Sequence, residues 1–187
     1  SEYPNPAQHA LRSTPPWRLP AGDFSLEDLD GKRVRLSDFK GKVVLLNFWD
    51  SATPACLSLI SNLVEVQRRQ TNGLVVLGLS LETTTPERSH EHEHEHAHEH
   101  GVVAHAKPDP APIRARLLGT AKAAGVNYPV LMDATGAVGR RFNASELPTN
   151  VLIDADGFVR RRFVGLRTPK TLIAMLHEMR SANASSP

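Results

Sequence analysis

Cysteine is almost missing from this chain of 187 residues: Cys56 is the only one, so no disulfide can form within the molecule. The same scarcity leaves the redox compartment unreadable from cysteine usage. Aromatic residues make up only 5%, and the formal net charge is only +2. No basic patch interleaves with aromatics, and nothing points to nucleic acid as a partner. Long apolar runs are absent too. None approaches the roughly 20 residues that span a bilayer, and no signal peptide opens the chain, so no membrane segment is read. A start at Ser1 rather than Met is the expectation for a mature or trimmed chain whose export signal or anchor has been removed. Polar stretches at both ends also suit one module of a longer polypeptide.

What is present suits one domain. Residues 1–14 are polar and aperiodic and read as a tail or linker, residues 15–180 as the domain, and residues 181–187 as a polar tail. After Pro15, Pro16 and Pro20, "FSLEDLDGKRVRLSDF" places Asp30-Gly31 between two alternating runs, a hairpin signal. "KVVLLNFW" (42–49) is a continuous apolar run rich in branched residues, as in a strand buried on both faces. From Cys56 to about Gln70, a helical stripe of Cys56, Leu59, Ile60, Leu63 and Val64 is closed by Asn72-Gly73. "LVVLGLSL" (74–81) is a second buried strand. Strand, helix, strand implies a right-handed crossover and parallel pairing, so both strands end at the edge that carries the turn before Cys56. A helix from Pro112 to about Ala124, stopped at Gly125, is followed by "NYPVLMD" as a strand and a short helix near 138–142. Two strands joined at Asp156-Gly157 come next, and then a helix capped by Thr168-Pro169 with the stripe Leu172, Ile173, Met175, Leu176 and Met179. The fold class is α/β, a mixed central sheet flanked by helices with an N-terminal β-hairpin.

Residues 83–112 break this pattern as an inserted loop, in which His90, His92, His94, His96, His98 and His100 alternate mainly with glutamates. Neutral imidazoles gathered on a flexible loop are ligands for Zn²⁺, Ni²⁺ or Cu²⁺, with glutamate oxygens and His105 as further donors. Such a site loses its metal as histidines protonate below about pH 6. The alternative is a solvated low-complexity segment with no fixed role. The loop leaves from the sheet edge of Cys56, so a metal held there can approach the thiol. Arg160, Arg161 and Arg162 alternate faces on a strand and read as a charged solvent-facing or edge strand, with an anion or partner patch as the alternative.

The element order, the entry segment "DFSLEDLDGKRVRLSDFKGKVVLLNFW", and the later "AAGVNYPVLMD" and "LPTNVLIDADGFV" together resemble the thioredoxin-like proteins of the TlpA/ResA type. The match covers residues 17–180 outside the insertion. These are extracytoplasmic thiol–disulfide oxidoreductases. The resemblance implies a thioredoxin-like fold, an extracytoplasmic (periplasmic or exported) location, no required cofactor, and Leu147-Pro148-Thr149 as a cis-proline motif. It also implies a groove walled by Trp49, Pro54, Leu147 and Thr149 beside Pro148, where a thiol protein or extended peptide docks. The family's W-C-x-x-C is here Ala52-Thr53-Pro54-Ala55-Cys56: Thr53 replaces the attacking cysteine and Cys56 stands at the resolving one. Disulfide exchange within one chain needs both thiols, and a threonine hydroxyl does not ionise near neutral pH, so that cycle is absent. Leu59 also stands where the family often has an acidic residue.

Thr53-Pro54-Ala55-Cys56 also resembles the T-x-x-C half of the peroxiredoxin motif, in which the threonine positions peroxide and the cysteine attacks it. A thiolate at a helix N-terminus is stabilised by free N–H groups. The proline of that motif is Trp49 here, and its arginine falls at Pro148. The candidate catalytic residues are therefore Cys56, Thr53 and Pro148. Three readings of the site stay open: a single-thiol redox domain of reduced activity, a thiol peroxidase, and a non-catalytic protein- or metal-binding module in which Cys56 is a small core residue.

Overall fold

The computed structural model describes residues 19–70, 72–82 and 109–184. The chain enters through a short edge strand β1 (Leu19–Pro20), then β2 (Ser25–Asp28) and β3 (Arg33–Arg35) form the expected hairpin. Gly31 sits at φ +82°, a left-handed turn position open to glycine, and Asp28 Oδ1 accepts the N–H groups of Asp30 and Lys32. A 3₁₀ turn (Leu36–Phe39) leads into β4 (Val43–Trp49), buried at every residue. The helix α1 (Pro54–Arg69) returns the chain to β5 (Leu74–Ser80). After residue 108 come α2 (Ala111–Ala123), β6 (Val130–Met132) and a short α3 (Ala137–Arg141). The hairpin β7 (Thr149–Ile153) and β8 (Phe158–Val164) precedes α4 (Pro169–Ala184).

These strands make one mixed sheet in the order β1-β8-β7-β4-β5-β6-β2-β3. Strands β4, β5 and β6 run parallel, and their neighbours run antiparallel. The result is the α/β, thioredoxin-like architecture expected from the sequence, with an added short edge strand. Alternation along β4 splits the core. Val44, Leu46 and Phe48 face a cluster with Leu36, Val138 and Phe142, whereas Val43 and Leu45 face α1 and α4 through Leu59, Leu63, Leu172 and Leu176. Near the carboxyl ends of the parallel strands a third cluster joins Trp49, Cys56 and Ile60 to Ile113 and Leu117 of α2. Gly78 of β5 leaves room for the Trp49 ring: a Cβ there would lie 3.2 Å from Trp49 Nε1 and 3.2 Å from Tyr128 Cε2.

The structure shifts several boundaries. The helix expected from Cys56 begins at Pro54, because Pro at the first position needs no N–H donor. Val64 is only half-buried, while Val66 joins the core. The strand expected over 127–133 pairs only from Val130 to Met132. The last helix continues through residues 181–184, expected in the tail, since neither Gly nor Pro stops it there. Its cap is as expected, with Thr168 Oγ1 accepting the Thr171 N–H at 3.2 Å. The two-residue β1 carried no periodic signal. The arginine trio is more engaged than a bare solvent-facing strand. Arg160 pairs with buried Asp154 at 3.2 Å, Arg162 donates to the carbonyls of Phe142 and Asn143, and Arg161 lies 3.9 Å from Glu178.

Leu63, with no exposed surface, ties α1 to the sheet. Leu63→Ala is expected to lower unfolding free energy by about 2–5 kcal/mol, read from the denaturant midpoint at constant slope. A loss well under about 1 kcal/mol would mean that α1 is not packed as described.

Candidate functional site

The site begins where the β4–β5 ladder ends. Trp49 is paired with Ser80, and the next N–H, that of Leu81, donates to the Trp49 carbonyl at 2.9 Å. Both strands therefore deliver their carboxyl ends to one edge, and α1 starts from the same edge after the turn 50–53. Three consecutive backbone N–H groups of that turn point at carboxylates. Ser51 N–H donates to Glu82 Oε1 at 2.8 Å, and the N–H groups of Ala52 and Thr53 donate to Asp50 Oδ1 at 3.1 and 2.7 Å. Thr53 is the N-cap residue of α1, yet its side chain makes no capping bond. Its hydroxyl instead helps to lower the pKa of the Cys56 thiol, the smallest of the influences on it.

Cys56 is wholly buried among Trp49, Ile60, Ile113, Leu117, Val130 and Met132. Burial raises its pKa above the ordinary thiol range, and the nearby Asp50 carboxylate raises it further. Hydrogen bonds from the Asp50 backbone and the Thr53 side chain oppose the shift. Burial wins, so the resting form at neutral pH is a neutral thiol. The donors that would support a thiolate are kept, but the setting holds it back.

The Leu147–Pro148 peptide bond is cis. Thr149 pairs with Phe48, which places Pro148 at the edge beside Trp49, and the Pro148 carbonyl accepts the Gly165 N–H at 2.8 Å. Leu147 packs on the cluster of Trp49 and Cys56. The structure thus brings Thr53, Cys56, Trp49 and Leu147 together. Of the residues expected to wall the groove, Trp49 and Thr149 are buried, as is Pro148. Leu147 is half-buried and Pro54 exposed. Exposed Leu57 lies next to Cys56 in the chain, and exposed Leu166 follows Gly165. The histidines at 90, 92, 94, 96, 98, 100 and 105 lie outside the described residues, and among those described no group of His, Cys, Asp and Glu is arranged to hold a metal.

Sequence reasoning missed Asp50 and Glu82. Both are acidic residues at the carboxyl ends of parallel strands, a position that favours functional side chains in open α/β sheets. That signal was present in "FWD" and "LSLE".

The sequence model of the AhpC/TSA family matches residues 18–162. Thiol-disulfide oxidoreductase ResA of Bacillus subtilis (strain 168) is 28% identical over 130 residues, 69% of this chain and 56% of that protein. Peroxiredoxin Bcp of Escherichia coli (strain K12) is 42% identical over 79 residues, 37% of this chain and 47% of Bcp. The chain thus spans about half the length of these curated relatives. The crystal structure of the exposed lipoprotein thioredoxin Etrx1 of Streptococcus pneumoniae strain TIGR4 matches with a TM-score of 0.61 at 27% identity, covering 84% of this chain and 99% of that one.

A thiol whose folded pKa lies above its unfolded value binds its proton more tightly when folded. Its stabilising contribution is complete below the unfolded value and is lost as pH rises through the folded one. Stability should therefore fall above about pH 8.5, by at most about 1.4 kcal/mol per pH unit from this group. Cys56→Ala should flatten that slope above about pH 8.5 while lowering stability at pH 7. Tyr128, also raised by burial, contributes only above about pH 10. Parallel slopes in urea titrations of the two proteins would contradict the assignment.

Proposed function

We infer that this chain, which belongs to the AhpC/TSA family, is a thioredoxin-fold thiol-redox protein of the ResA type reduced to one guarded thiol. The observation that carries this reading is the position of Cys56 in the first turn of α1, three residues after the N-cap Thr53, where the Thr53 hydroxyl and the Asp50 backbone N–H lower the thiol pKa against its burial. Those groups favour a developing thiolate, and a side chain serving only as core packing needs neither. With Thr53 in place of a second thiol, Cys56 works between molecules. Its thiolate attacks a disulfide of a partner thiol protein, one partner sulfur leaves as thiolate, and the mixed disulfide waits for an external thiol. An extended segment of that partner docks at the sheet edge that carries the cis Leu147–Pro148 bond and the start of α1, where Leu147 is half-buried and Pro54 exposed. No cofactor enters this chemistry. The likeness to an exposed lipoprotein thioredoxin supports a location outside the cytoplasm.

A second reading, thiol peroxidase, is favoured by the same Thr53 hydroxyl and by the likeness to Bcp. The charge that acts on the sulfur is the Asp50 carboxylate, not an arginine, which argues for slow peroxide attack. The histidine–glutamate run supports a separate proposal, a labile Zn²⁺, Ni²⁺ or Cu²⁺ site that does not depend on Cys56.

Incubation with oxidised glutathione, followed by mass spectrometry, separates these readings. The expected result is a slow one-to-one adduct on the wild type, reversed by dithiothreitol, absent in Cys56→Ser, and with no sustained turnover of hydrogen peroxide. Sustained peroxide consumption with added thiol would instead establish the peroxidase. No adduct until the protein is denatured would leave a binding module with Cys56 as a core residue.

A further inference from the structure

We propose that Glu82 is the positioning residue of the Cys56 turn, one carboxylate that latches Ser51 to α2 and so keeps the thiol covered. The carboxylate is nearly buried, with 9% of its side chain exposed. Oε1 accepts the Ser51 N–H at 2.8 Å, and Oε2 accepts Arg116 Nε at 3.0 Å as well as Arg116 Nη2. The backbone of Glu82 is itself held, because its N–H donates to Ser80 Oγ at 3.2 Å and the preceding N–H is tied to Trp49. One side chain therefore joins the end of β5, the turn before Cys56 and α2. Leu117, next to Arg116 in α2, packs in the same cluster as the cysteine. The bond also ties together positions 34 residues apart, across residues 83–108.

The two halves of the latch are unequal. Arg116 is 58% exposed, so water screens its ion pair and much of that attraction is lost. The Ser51 bond is charge-assisted and its acceptor shielded, and without it the half-buried Ser51 N–H loses its carboxylate partner. Asp50 already holds the next two N–H groups from its own side chain, a local bond that moves with the turn. Glu82 is thus the contact that fixes the turn to the rest of the fold. The consequence for labelling rests on the single-thiol reading above, whereas the consequence for backbone opening does not.

The test compares wild type, Glu82→Ala, Glu82→Gln and Arg116→Ala in the full chain. It reads iodoacetamide labelling of Cys56 at fixed pH and amide hydrogen exchange at Ser51. Glu82→Ala should speed Ser51 exchange and Cys56 labelling by at least about tenfold, without a matching drop in global stability. Glu82→Gln keeps an acceptor for Ser51 and should restore most of the protection, and Arg116→Ala should change either rate by less than about threefold. Should Glu82→Ala fail to fold, Glu82→Met, which fills similar space without an oxygen acceptor, takes its place: Ser51 exchange at least about tenfold faster than wild type supports the latch, and an unchanged rate overturns it. Unchanged Ser51 exchange in Glu82→Ala overturns the latch even where Cys56 labels readily. Faster exchange with no native labelling in any variant supports the latch and overturns the single-thiol reading.

Discussion

The seven-residue parallel ladder between β4 and β5 is the constraint on which the site depends. Its register pairs Trp49 with Ser80, so the chain leaves both strands at one edge, and residues 50–53 and 81–82 have to share that space. Parallel strands are buried on both faces, which explains why β4 and β5 read as near-continuous apolar runs. The turn before Cys56 is tied to that edge through Leu81, bonded to Trp49, and through Glu82, bonded to Ser51.

Competing effects at the sulfur are settled by burial. A helix N-terminus, a hydroxyl and a backbone N–H all favour thiolate. Opposing them are burial among apolar side chains and the Asp50 carboxylate, and desolvation is the largest single influence. The arrangement differs from an activated cysteine in where the negative charge goes. Asp50 and Glu82 already occupy the three turn N–H groups that would otherwise be available to an anion. A guarded, neutral thiol with retained donors follows.

Much of the fold was legible because its signals are local. The runs at 43–49 and 74–80, the Asp30-Gly31 and Asp156-Gly157 turns, and the Thr168 cap each depend on a few neighbouring residues. The cis bond at Pro148 was implied by family resemblance, and the structure has it. The site was less legible because it is built from long-range partners. Cys56 and Thr53 were identified as a pair, but nothing near position 56 announces that residues 113, 117, 130 and 132 enclose the thiol. Likewise the Glu82–Arg116 bond joins residues that a sequence reading separates by the histidine-rich insertion. The edge strand β1 was illegible for a different reason: two residues with a proline carry no period.

Whether Cys56 rests as a guarded neutral thiol is read by the pH dependence of its alkylation rate in the native protein, followed by mass spectrometry. A guarded thiol labels slowly, with an apparent pKa above the ordinary value near 8.5, and labels fast on unfolding. Rapid native labelling with an apparent pKa well below that value would contradict it and reveal an exposed, activated thiolate.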